Sequence, residues 1–146
     1  MPLPERVTRV LETDLLYRKL RRGQWSGSEV YETAFIDHHN PRLSVYVARI
    51  ATPRAVLEFF CRLAYARRLT RDRAPQPEDL LEYGEGIAVF PAALVIHQLR
   101  LSFVGNEGEP DQIREDGHIN ILHGQSYAID LAEAARPLTR EEILER

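Results

Sequence analysis

Apolar residues crowd most densely between Gly86 and Gly124, where GIAVFPAALVIHQLRLSFV is followed by a polar stretch and then by HINIL. This block is the expected core, with Ile87 to Phe90 as a buried strand, Ala92 to Gln98 as two helical turns after Pro91, and Leu99 to Val104 as an alternating strand. His118 to Leu122 reads as the last strand. Upstream, Leu43 to Ile50 places Leu43, Val45 and Val47 on one face and Ser44, Tyr46 and Ala48 on the other. Val30 to Asp37 also carries β-formers, so the two segments are expected to form an antiparallel hairpin across the turn Asp37 to Pro41. Leu15 to Leu20 fits a helix end or a first strand equally well.

Helix signals lie elsewhere. Thr52-Pro53 combines an N-cap with a first-turn proline and predicts a helix running to about Arg68, with Val56, Leu57, Phe60, Leu63 and Ala64 on one stripe. Ser126 is the expected cap of a helix that packs Ala128, Ile129, Leu131, Ala132 and Ala135. Thr139 to Glu142 reads as a capping box before a short terminal helix. The sum is one α+β domain over 1–146, a mostly antiparallel sheet of about five strands covered by three to four helices.

Composition narrows the classes. A chain of 146 residues with 44% hydrophobic and 28% charged residues can bury a single core. A net charge of −3 makes nucleic acid an unfavoured partner for the isolated domain. One cysteine, Cys61, leaves no internal disulfide and fits a reducing, cytoplasmic setting. No apolar run approaches the roughly 20 residues needed to cross a bilayer, and the N-terminus does not read as a signal peptide. The P-loop, the dinucleotide-binding glycine fingerprint, HExxH, CxxC and GxSxG are all absent, so no motif calls for a cofactor.

Three groups of residues remain as candidates for chemistry or binding. His38 and His39 follow Asp37 in a turn, and His118 opens the last strand. If the segments lie side by side, His38, His39 and His118 could hold a metal or supply a general base. His118 and His123, five apart, face opposite ways on a regular strand. Arg62, Arg67, Arg68 and Arg71 gather at the end of the helix that Thr52-Pro53 starts, offering a basic patch to an acidic partner. Trp25 lies in a loop with glycines at 23 and 27, a placement suited to anchoring an interface. Residues 105–117 hold five acidic residues and three glycines and read as an exposed loop.

Val45-Tyr46-Val47-Ala48 followed by Ala55-Val56-Leu57-Glu58 resembles the central motif of RES-domain toxins, relatives of ADP-ribosyltransferases that consume NAD. Gln24-Trp25-Ser26 stands where that family has Gly-Arg-Trp-Asn, and Pro91-Ala92 where it has Pro-Ser. The resemblance implies an NAD pocket lined by Arg18, Tyr46 and Glu58. Over more of the chain, LLYRKL, YETAFID, LSVYVARIATPRAVL, GIAVFPAALV and GHINILHG resemble small bacterial proteins without an assigned activity. Together these features favour a domain without catalysis of its own that binds another protein, in a bacterial multi-protein system such as toxin–antitoxin or phage defence. An NAD-consuming enzyme and a metal-dependent hydrolase are the alternatives, and homo-oligomerisation is left open.

Overall fold

A computed structural model describes residues 9–36, 42–59, 86–105 and 117–144. In chain order its elements are β1 (Leu15–Leu20), β2 (Trp25–Ser26), β3 (Glu29–Val30), a 3-10 turn (Glu32–Phe35), β4 (Arg42–Val47) and α1 (53–59). There follow β5 (Gly86–Pro91), α2 (92–98), β6 (Phe103–Val104), β7 (His118–Leu122), a second 3-10 turn (Gly124–Tyr127), α3 (Ala128–Ala134), β8 (Arg136–Thr139) and α4 (Arg140–Leu144). Six strands make one sheet in the order β6-β7-β4-β1-β5-β8, every pairing antiparallel, and β2 with β3 forms a separate small hairpin. The α+β class is therefore present, with one strand more than the sequence suggested. None of the described helices is long and apolar enough to cross a membrane.

The alternation of side chains splits the sheet into two faces with separate cores. Leu16, Leu20, Leu43, Val45, Val47, Ala88, Phe90, Ile119 and Ile121 point to the first face. There they meet Ala34 and Phe35 of the 3-10 turn, Ala92 and Val95 of α2, and Ala128, Leu131 and Ala132 of α3. Phe35 and Phe90 lock this core edge to face, ring centroids 5.4 Å apart. On the second face Tyr46, Ile87, Val89 and Leu138 meet Val56, Leu57 and Phe59 of α1 and Ile143 of α4. The alternation read from Leu43 to Val47 is realised residue by residue, because a strand buried on both faces still has only two directions to point.

Two of the expected caps form as read. The Thr52 Oγ1 accepts the N–H of Ala55 at 3.1 Å. In the capping box the Thr139 Oγ1 accepts the N–H of Glu142 at 3.1 Å, and its hydroxyl donates to the Glu142 carboxylate at 3.1 Å.

Several local expectations are corrected. Val30 to Asp37 is not a long strand; after β3 the chain turns into the 3-10 segment, which buries Ala34 and Phe35. The partners of β4 are β1 and β7, so no hairpin joins residues 30–37 to 43–50. Leu99 to Val104 is strand only at Phe103 and Val104, since Arg100 takes a positive φ of 53° and turns the backbone first. The last turn of α2, Leu94–Gln98, is a π-helix. Ser126 does not cap α3; a 3-10 turn leads directly into it, and no side chain caps its start. His118–Leu122 is not the last strand, because β8 follows on the sheet edge, where Pro137 is tolerated. Trp25 sits in β2 rather than in a loop.

Candidate functional site

Buried polar side chains on the second face define one candidate. β4 and β7 pair with Tyr46 opposite His118 and Ser44 opposite Asn120, so all four residues share that face. His118 is only 1% exposed, and Tyr46 and Asn120 are equally enclosed, whereas Ser44 is half-buried. The Ser44 hydroxyl and the His118 Nε2 lie within hydrogen-bond distance, diagonally across the two strands. The Tyr46 ring stands edge-on to the imidazole with centroids 5.3 Å apart. The Asn120 Nδ2 donates to the Gly105 carbonyl at 3.2 Å, tying β7 to the chain after β6. Burial lowers the His118 pKa from 6.5 to about 4, so the imidazole is neutral at physiological pH. A neutral imidazole can accept the serine proton.

Arg18 is held on the other face. Its neighbours Leu16 and Leu20 point into the first core, and the strand alternation sends Arg18 the same way. The Nε–H donates to the Ala34 carbonyl and Nη1 donates to the Ser44 carbonyl at 2.8 Å. The ladder between β1 and β4 stops at Tyr17 and Tyr46, and the guanidinium bridges the strands where their own pairing ends. Glu58 lies on α1, exposed and ion-paired with Arg54 at 3.0 Å. The sheet thus stands between Arg18 and Tyr46, and the structure does not bring Arg18, Tyr46 and Glu58 into one pocket.

Of the histidine set, only His118 is described; His38 and His39 lie outside the described residues. Among the described residues no group of three His, Cys, Asp or Glu side chains is placed to hold a metal ion. His123 follows β7 in a left-handed conformation and is exposed, so it does not share a site with His118. Arg62, Arg67, Arg68 and Arg71 also lie outside the described residues, as do residues 106–116 of the stretch expected to be a loop over 105–117.

A second candidate is a surface groove between the β2–β3 hairpin and α3. It is lined by Gly23, Ser28 to Thr33, Ile129, Ala132, Glu133 and Ala135. Ile129 is 60% exposed and Tyr31 40% exposed, two large apolar groups on one concave surface. Glu29, Glu32 and Glu133 line the same groove, and among the described residues none that lines it is cationic. Trp25, paired with Val30 across the hairpin, is half-buried and packs against the first core. Its Nε1 is buried without an acceptor. Trp25 belongs to the hairpin beside the groove and is not among the described residues that line it.

Sequence reasoning missed Ser44 and Asn120 as neighbours of His118, and it missed the groove. The signal for Ser44 was its place beside Tyr46 on the alternating face. For the groove, Ile129 stands off the stripe of Ala128, Leu131 and Ala132 that α3 buries. Compared with family models, curated proteins and solved structures, the chain matches none.

Proposed function

We propose that this domain works by binding another protein through the groove between the β2–β3 hairpin and α3. The observation that carries the reading is the pairing of exposed Ile129 and Tyr31 with a lining in which, among the described residues, the charges are the carboxylates of Glu29, Glu32 and Glu133. Exposed apolar side chains in a concave surface gain by being covered, and a one-signed charged lining selects its complement. The partner supported by this chemistry is a basic, amphipathic segment that seats an apolar side chain between Tyr31 and Ile129. A cytoplasmic setting in a bacterial defence or toxin–antitoxin system is the context we favour, on the resemblance and the single cysteine.

The experiment is a pull-down of the tagged protein at native level, run in parallel with Ile129→Glu and with Glu29→Lys/Glu133→Lys. All three positions are exposed at the groove, so the melting temperature should hold. A stoichiometric partner with a basic segment, lost from both variants and released by salt, supports the reading. A partner retained equally by all three proteins, or no partner at all, refutes it. An NAD-hydrolysis assay on the same eluate tests the enzymatic alternative, for which activity lost on Glu58→Ala is the required result.

A further inference from the structure

A histidine and an asparagine, each 1% exposed, sit on β7, a strand paired on both sides whose other residues are isoleucine and leucine. Burying such groups costs free energy unless each is hydrogen-bonded, and an apolar residue at either place would avoid the cost. Local choices that run against packing concentrate at working sites. Asn120 is tied to the Gly105 carbonyl, a structural use. His118 has a different neighbour: the half-buried hydroxyl of Ser44.

We propose that Ser44 and His118 form a nucleophile–base pair that attacks the acyl carbon of an ester or thioester. The site lies on the sheet face opposite the groove and does not depend on the binding reading. A serine hydroxyl is a weak nucleophile until a base in hydrogen-bond contact takes its proton. The Tyr46 ring packed against the imidazole, and the strand pairing beneath both, hold that contact. Oγ bonds to the carbonyl carbon as its proton passes to Nε2. Collapse of the tetrahedral intermediate breaks the bond to the leaving oxygen or sulfur, which takes the proton back from Nε2. Water then attacks the acyl-serine with His118 again as base, releasing the acid and restoring the hydroxyl. Burial leaves the imidazole unprotonated at pH 7 but also makes it a weaker base than an ordinary histidine, so the direct contact with the Ser44 hydroxyl carries the step.

The test is labelling of the full chain with a fluorophosphonate at pH 7.5, mapped by peptide mass spectrometry. The expected result is one adduct on Ser44, absent in Ser44→Ala and formed at least tenfold more slowly in His118→Gln, labelled at a temperature where that variant is still folded. No adduct on Ser44, an adduct elsewhere only, or an equal rate in a folded His118→Gln overturns the proposal. Ser44→Cys supplies a readout that leaves His118 in place. With the imidazole beside it, the thiol is expected to react with iodoacetamide faster than free glutathione at the same pH, and a slower reaction overturns the pair.

Discussion

Acid should unfold this protein earlier than an apolar sheet of the same size, and His118 is the reason. Its pKa is about 4 in the folded chain against 6.5 for an ordinary histidine, because burial penalises the charged ring. Between those values the unfolded chain binds a proton that the native chain refuses, so stability is complete above pH 6.5 and falls as the pH drops toward 4. A shift of that size, at about 1.4 kcal/mol per unit, amounts to roughly 3 kcal/mol once both states are protonated. That is a large part of the 5–15 kcal/mol typical of a whole domain. The assay is urea unfolding at pH 7, 6, 5 and 4 for the wild type and for His118→Gln, which keeps a polar group but removes the titration. The variant starts lower at pH 7, since it disturbs the contact with Ser44 and the ring contact with Tyr46. Its curve is expected to be flatter across this window, by about 3 kcal/mol between the ends. Parallel curves for the two proteins would refute the argument, because the proton uptake would then belong to other groups.

Three further outcomes follow from the packing. Phe90→Ala empties the centre of the first core, where the ring meets Phe35 edge to face, and is expected to cost about 3–5 kcal/mol in urea unfolding. Gly86→Ala sets a Cβ 2.6 Å from the Leu138 carbonyl oxygen, so β5 and β8 must separate; a loss of amide protection along β8 in hydrogen exchange is the measurement. Arg49→Ala removes the 3.0 Å bond to the buried carboxylate of Asp14 and should cost about 1–2 kcal/mol at pH 7, since Arg49 itself is half exposed. Burial acts to raise the Asp14 pKa, and the Arg49 hydrogen bond, the Leu11 N–H and the Arg49 charge together hold it below the ordinary value. That contribution is present above the usual carboxylate range and is lost as the pH falls through the folded pKa, so wild type and variant should converge in strong acid.

What the sequence revealed and what it hid divide along the range of the interactions involved. Thr52-Pro53 and Thr139 to Glu142 were legible because a cap is satisfied within three or four residues, and both form. The faces of β4 were legible because alternation is a property of one strand. Strand neighbours were not: β4 pairs with β1 and β7, segments some 25 and 75 residues away, and nothing local ranks them above a nearby hairpin. β8 stayed hidden because Arg-Pro-Leu-Thr has neither alternation nor β-branched density, and it becomes a strand only because the edge of β5 is there to receive it. The candidate sites follow the same rule. Arg18, Tyr46 and Glu58 fall in a suggestive order along the chain, but order says nothing about faces, and one step of strand phase puts Arg18 across the sheet from Tyr46. Ser44 and His118 are 74 residues apart and meet only because β7 docks on β4 in this register. A slip of one residue would turn His118 into the first core and leave the hydroxyl without its base, so the chemistry of that pair rests on the same register that buries Leu43, Val45, Ile119 and Ile121 on the other side.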